Sequence, residues 1–192
     1  SVVPTIFQKT KSFLKKKGFH VYEIKDLKIK KLIKTKVEKV SEVGSDRIAN
    51  GIGAFEKYKK NCLVIDFGTA TTFDIINNSG VYEGGVIAPG INLSIQNLNK
   101  STAMLPCINL KASSKIFGKN TKEAINAGIL WGYQGLINNI ILKIFSSKRK
   151  KLNIILTGGY ANLFKKYIKE KSIIDENITI KGIIKIYKKL LI

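Results

Sequence analysis

Apolar positions recur along the chain with two different spacings, and the switches between them predict its elements. Ile6, Phe7, Phe13 and Leu14 interrupt a lysine-rich opening and predict a helix starting after Pro4, with these four on its inner face. Phe19 to Ile24 predicts a strand. From Arg47 to Tyr58, Ile48, Ile52, Ala54 and Phe55 recur at helical spacing just after Gly44 and Ser45, which places Asp46 at a helix N-terminus. The character then changes. Cys62 to Ile65, Thr71 to Ile76 and Val81 to Ile87 read as three strands, divided by Gly68-Thr69 and by the turn Asn77 to Gly80, with Pro89-Gly90 breaking the last one before a helix. Asn120 or Thr121 caps a long helix through about Phe145, with Ile125, Ile129, Leu136, Ile140 and Ile144 among its apolar positions. Leu152 to Leu156 is a buried-type strand, Gly158-Gly159 a turn, and two amphipathic helices finish the chain. This order predicts an α/β fold with a mixed sheet.

Gly128, Gly132 and Gly135 cost the long helix about 1 kcal/mol each relative to alanine. Close packing of another backbone would explain their presence. No apolar stretch approaches the ~18 residues that suggest a membrane span.

Of 192 residues 34 are basic, for a net charge of +21, which ordinarily points to an anionic partner. Only Arg47 and Arg149 are arginines, however, and the lysines are spread along the chain rather than gathered on one segment. Base-reading proteins favour the arginine fork, so no specific nucleic acid is expected. Lys148, Arg149, Lys150 and Lys151, the densest patch, read as a solvated loop. Cys62 and Cys107 belong to no metal-ligand pattern and fit a reduced, cytoplasmic setting. His20 is the sole histidine, which excludes HExxH zinc chemistry and a Ser/His/Asp triad within the chain. Ser1 in place of Met, with no leader pattern behind it, leads to the expectation that the native start lies upstream.

Three short segments carry candidate chemistry. In Val64 to Thr72 a carboxylate, Asp66, ends an apolar strand directly before Gly68 and Thr69. Glycine lets a backbone approach an anion, threonine donates to phosphate oxygens, and the carboxylate can hold a neutralising cation; a plain hairpin turn gives the same pattern. Thr157, Gly158 and Gly159 follow the later strand, where a glycine pair admits the flat face of a nucleotide or simply connects strand to helix. Together the two segments favour nucleotide binding. In Gly44-Ser45-Asp46-Arg47, a chain that otherwise uses lysine keeps an arginine, as it would where a planar grip on a carboxylate matters. A capping aspartate beside a surface arginine is the alternative. Asp74 and Glu83 read as structural or exposed, and the glycines between Tyr82 and Gly90 hint that another segment or a ligand passes close by.

In order, GSDRIAN, DFGTATTFD, GVYEGGVIAPGINLS, TAMLP, GKNTKEAINAG and TGGYA resemble type III pantothenate kinase, a family of the actin-like ATPase superfamily. Ser1-Val2-Val3-Pro4 resembles the family's SVVP segment, whereas its opening strand and DxGNT phosphate loop have no counterpart here. The resemblance implies an actin-like, ribonuclease H-like α/β fold with mixed sheets. Residues 1–60 would be the remainder of an incomplete first domain, and 61–192 a complete second one. It implies ATP-dependent phosphorylation of pantothenate, the first step of coenzyme A synthesis, in a cytoplasmic homodimer. Gly44, Ser45, Asp46 and Arg47 would form the pantothenate turn, with Asp46 as general base and Arg47 on the substrate carboxylate. Thr121 would reach pantothenate across the dimer, Gly68, Thr69, Gly158 and Gly159 would contact ATP with its Mg2+, and Asp66 would hold a monovalent cation, K+ or NH4+. A nonenzymatic regulator or nucleic-acid binder on the same fold is the competing expectation.

Overall fold

The computed structural model describes residues 4–27 and 32–190 of the 192. Ser1, Val2 and Val3 of the SVVP segment lie outside the described residues. Among the described residues the α-helices and strands follow in this order: α1 (Pro4–Lys16), β1 (Lys34–Thr35), α2 (Ser45–Tyr58), β2 (Cys62–Phe67), β3 (Ala70–Ile76), β4 (Val81–Pro89), α3 (Ile91–Lys100), α4 (Thr121–Lys148), β5 (Asn153–Gly158), α5 (Ala161–Phe164), β6 (Ser172–Ile174) and α6 (Ile178–Leu190). The expected α/β class with a mixed sheet is what forms. β1 runs parallel to β4 and β5 parallel to β6, while β2, β3 and β4 follow one another through turns too short for anything but antiparallel pairing.

Packing divides the chain into two compact units that do not follow its order. The first takes Ser1–Val64, Asp74–Gly85 and Asn177–Ile192; the second takes Ile65–Phe73 and Val86–Glu176. The expected division at residue 60 therefore differs from the packing, which assigns the last helix to the first unit.

The reason lies in two glycines. In the first unit α6 lies directly on α2: a Cβ at Gly182 would stand 1.9 Å from the Ala49 carbonyl oxygen, and one at Gly53 2.3 Å from that of Ile178. Thr179 Oγ1 adds a hydrogen bond to Asn50 Oδ1 at 2.6 Å. Around this crossing Ile48, Ala49, Ile52, Ala54, Ile178 and Ile186 are buried. Sheet order in this unit is β1-β4-β3-β2.

The second unit holds the order β4-β3-β2-β5-β6, covered by α4, whose buried face comprises Ile125, Ala127, Leu130, Tyr133, Ile137, Asn138, Ile141 and Ile144. Of the five apolar positions expected inside, Ile125 and Ile144 are buried, while Ile129, Leu136 and Ile140 lie at its margins. Asn138 explains part of that shift. Its amide donates to the Tyr167 carbonyl and accepts from the Lys169 N–H, both at 2.9 Å, satisfying two backbone groups that α4 would otherwise bury unpaired.

Near the chain start the structure departs from the pattern. Ile6 and Phe13 of α1 are 60% and 59% exposed, so the expected inner face is only half realised, by Phe7 and Leu14. Helical spacing marks which positions share a face, not whether anything covers them. No strand forms over Phe19 to Ile24, where the chain makes a 3-10 turn at Ile24–Asp26 beside Glu23 paired with Lys11 and Lys25. A β-prone run becomes a strand only where a neighbour completes its ladder. The short β6 had no signal of its own; it pairs with β5 through Ile154, Ile155 and Leu156.

Candidate functional site

In the first unit, α2 opens directly after Gly44, which has extended backbone and makes no side-chain cap. Asp46 lies in the first turn, where the helix dipole favours a carboxylate. It is exposed, and its Oδ1 accepts the Arg47 N–H at 2.8 Å. A Cβ at Gly44 would come within 2.6 Å of that oxygen, so the glycine leaves the Asp46 carboxylate room to stand over the turn. Ser45 is half-buried as the first residue of the helix.

Arg47 turns the other way. Its Nε and Nη2 both lie 2.7 Å from Asp74 Oδ1 on β3, and the Tyr82 hydroxyl on β4 donates to the same oxygen at 2.6 Å. Asp74 is fully buried, and the Arg47 side chain is 13% exposed. Burial pulls the guanidinium pKa down, but the charge and hydrogen bond of Asp74 outweigh it and leave the pKa raised. The Tyr82 phenol is raised too, first by burial and then by Asp74, so it stays a neutral donor. The carboxylate in the grip of Arg47 here belongs to its own chain. Asp74, expected to be structural or exposed, is buried at the centre of this cluster. Glu83 accepts from Lys36 and Asn77, both at 3.3 Å.

In the second unit Gly68 and Thr69 form an exposed turn between β2 and β3, closed by the Gly68 N–H on the Ala70 carbonyl at 3.1 Å. Two glycines distant in sequence support it. A Cβ at Gly90 would stand 2.0 Å from the Thr69 carbonyl oxygen, and one at Gly158 2.7 Å from Asp66 Oδ1 and 2.6 Å from the Phe67 carbonyl oxygen. Gly158 also has φ +86°, a left-handed backbone that L side chains rarely adopt. Its neighbour Gly159 donates its N–H to the Phe67 carbonyl at 3.1 Å, and nothing lies within 4 Å of where its Cβ would be. The close approach expected at the glycine pair is therefore made by Gly158 to the chain itself, while Gly159 keeps an open face.

Thr121 is exposed on the first turn of α4, whose cap is Asn120, its side chain accepting the Glu123 N–H at 3.0 Å. A cavity of about 500 Å³ borders that turn, and its wall includes Cys107, Lys111, Lys115, Lys122, Glu123 and Asn126. None of the expected site residues lines it.

The hydroxyls that fix the turn's surroundings carried no motif. Tyr133 donates to the Pro89 carbonyl at 3.0 Å; its single proton being spent, Ser94 must donate to it at 2.7 Å. Tyr160 donates to Asn92 Oδ1. Both tyrosines thereby pin the start of α3 behind Gly90, and no sequence spacing marks them for it. Among the described residues no group of three or more His, Cys, Asp or Glu side chains is placed to hold a metal.

Residues 1–143 match the family model for type III pantothenate kinase. The chain is 45% identical over 186 residues to the type III pantothenate kinase of Pelagibacter ubique, covering 96% of this chain and 74% of the relative. It is 42% identical over 159 residues to that of Caulobacter vibrioides, covering 82% of this chain and 61% of the relative. Among solved structures, one described as a "conserved putative Baf family transcriptional activator from Campylobacter jejuni" superimposes with a TM-score of 0.60 at 25% identity, covering 82% of this chain and 69% of that one.

Proposed function

The chain belongs to the type III pantothenate kinase family, and from that membership we propose that it transfers the γ-phosphoryl group of ATP to the primary hydroxyl of pantothenate, the first step of coenzyme A synthesis. The observation that carries this reading is the exposed Asp46 carboxylate at the head of α2, next to an arginine whose guanidinium is fixed from behind.

Phosphoryl transfer asks a protein for in-line positioning and charge neutralisation rather than for covalent chemistry. Asp46 accepts the proton of the attacking hydroxyl as the bond to phosphorus forms. Arg47 takes the pantothenate carboxylate with the donors that Asp74 leaves over. Gly44 and Ser45 supply the turn that lets substrate approach. In the second unit, Gly68 and Thr69 offer backbone and hydroxyl donors to phosphate, and Gly158 and Gly159 meet the adenosine side, with the open face of Gly159 as the point of approach. Mg2+ travels with ATP and neutralises its phosphates when bound.

Asp66 is the residue that would hold a monovalent cation. Its carboxylate oxygen faces the Cα of Gly158, where a Cβ would crowd it at 2.7 Å, and a carboxylate beside the Phe67 backbone carbonyl offers the oxygen donors that a hard cation such as K+ or NH4+ takes.

A homodimer with Thr121 reaching the second copy's pantothenate draws support from α4. Gly128, Gly132 and Gly135 lie on one exposed face, and a Cβ at any of them would meet nothing within 4 Å. Leu142 on the same face is 57% exposed. Three glycines that cost helix stability and whose Cβ positions meet nothing among the described residues are explained by a backbone from a second copy. ATP and pantothenate as substrates support a cytoplasmic setting. No described helix is long and apolar enough to cross a membrane.

Calorimetric titration with pantothenate, in the presence of Mg2+, K+ and a nonhydrolysable ATP analogue, tests the assignment. Saturable binding weakened at least tenfold by Arg47→Ala is expected, being the loss of a charge-assisted pair. Absence of binding by the folded chain would refute it. The likeness to a transcriptional activator structure favours a second reading, a DNA-binding regulator. Any lysine-rich surface loses DNA with salt, so only preference for one duplex sequence over another would support that reading.

A further inference from the structure

Three donors converge on one oxygen atom, Asp74 Oδ1: Arg47 Nε and Nη2 at 2.7 Å each, and the Tyr82 hydroxyl at 2.6 Å. Asp74 is 0% exposed and Tyr82 1% exposed, so the carboxylate has been withdrawn from water at a cost that its partners must offset. Both come from neighbouring strands, β3 and β4, whereas Arg47 comes from the first turn of α2. A link needed only to attach helix to sheet would be served as well by apolar side chains of similar size. What an ion pair adds is direction.

The guanidinium is a planar fork with five N–H donors. Two reach the same oxygen of Asp74, and the guanidinium also meets the hydroxyl of Tyr82, whose ring centroid lies 6.0 Å from Cζ. The fork is thereby held in plane and in rotation without being consumed. An arginine free on a helix surface samples many rotamers, and each must be lost again when a ligand is gripped.

Resting on the pantothenate kinase reading, we propose that Asp74 and Tyr82 are positioning residues that set the selectivity of this chain for a substrate bearing a carboxylate. They act through Arg47, whose remaining donors they aim at the substrate's acid group. Because Asp74 also neutralises much of the guanidinium's charge, selectivity here is a matter of geometry more than of long-range attraction. Loss of Asp74 therefore raises the bare charge yet weakens recognition.

The test compares binding of pantothenate with binding of pantothenyl alcohol, in which a hydroxymethyl group replaces the carboxylate, by the full chain with Mg2+, K+ and an ATP analogue. Wild type prefers pantothenate. Asp74→Asn lowers that preference about tenfold, as loss of a charge-assisted hydrogen bond does, and Tyr82→Phe lowers it by a smaller factor of about three. Glu83→Gln, on the same strand and paired with Lys36 and Asn77 instead, leaves the ratio unchanged. In turnover assays the two variants raise KM for pantothenate and leave kcat at saturation within about twofold. A merely structural role would weaken both ligands alike, so an unchanged ratio in Asp74→Asn overturns the proposal, as does tighter pantothenate binding by that variant. If Asp74→Asn does not fold, Tyr82→Phe decides, since it removes one hydroxyl and keeps the ring. A folded wild-type chain that binds neither ligand refutes the kinase reading itself. One that binds pantothenate with an unmoved ratio refutes only the positioning role.

Discussion

Gly90→Ala isolates the support beneath the Gly68-Thr69 turn. Backbone strain plays no part, because Gly90 has φ −72° and ψ 147°, which alanine adopts freely. The effect is steric: the new Cβ would stand 2.0 Å from the Thr69 carbonyl oxygen, 2.6 Å from its carbon and 3.1 Å from the Gly68 carbonyl oxygen, where ordinary contact begins at 3.4 Å. The turn must retreat by about 1.4 Å, against a Gly68–Ala70 hydrogen bond that closes it at 3.1 Å. Overpacking of this kind costs about 1–3 kcal/mol, and alanine is also a poorer helix N-cap than glycine, so a loss of about 2–3 kcal/mol is expected. In urea denaturation followed by far-UV circular dichroism, with a slope of about 2 kcal/mol per molar, the midpoint falls by about 1 M or more. Gly159→Ala is the control in the same unit, with nothing within 4 Å of its Cβ, and its stability should stay within about 0.5 kcal/mol of wild type, a midpoint shift of about 0.25 M. Because Thr69 moves, Gly90→Ala should also weaken ATP-analogue binding. Equal midpoints for the two variants would refute the argument that Gly90 is glycine because Thr69 lies against it.

Asp46→Asn should fold with an unchanged urea midpoint while turnover of pantothenate falls at least a hundredfold, the usual contribution of a general base; retained turnover removes Asp46 from the reaction. Asn138→Ala should cost about 2–3 kcal/mol, because it strands the Tyr167 carbonyl and the Lys169 N–H, and a midpoint unchanged in urea would contradict that bookkeeping. For the homodimer proposed above, Gly135→Leu should leave the fold intact but shift the species seen by analytical ultracentrifugation from dimer to monomer, since a second backbone could no longer approach α4, and an unchanged species would refute that dimer. Cys107 is exposed and Cys62 buried, so a disulfide reagent should titrate one thiol in the native chain and two in denaturant. Burial pushes the Cys62 thiol up from 9.0 to about 11, so the folded state keeps a proton that the unfolded state loses. Its contribution to stability is complete below pH 9.0 and disappears as pH rises through about 11, a loss of up to about 2 kcal/mol that Cys62→Ala should not show in urea midpoints at high pH.

The sequence by itself determined the elements with strong local signals. Gly44-Ser45 before Ile48 and Ile52 marked α2, the Gly68-Thr69 and Asn77 to Gly80 turns marked β2 to β4, and Asn120 or Thr121 marked the start of α4, because capping and turn chemistry are written in neighbouring residues. Six motifs in order were enough to point to the family. What needed the tertiary structure is every relation between residues far apart in the chain. Helical spacing placed Ile6 and Phe13 on one face without showing that it stays uncovered. Nothing near Asp74 announces Arg47, 27 residues earlier, and nothing near Gly90 announces the Thr69 carbonyl. Gly182 reads as a weak spot in α6 until Ala49 is found against it, which is also why the last helix packs in the first unit. Local sequence fixes backbone dihedrals and which side chains share a face. Which buried carboxylate orients which guanidinium, and which glycine makes room for which carbonyl, is decided only when strands and helices from distant segments close on one another.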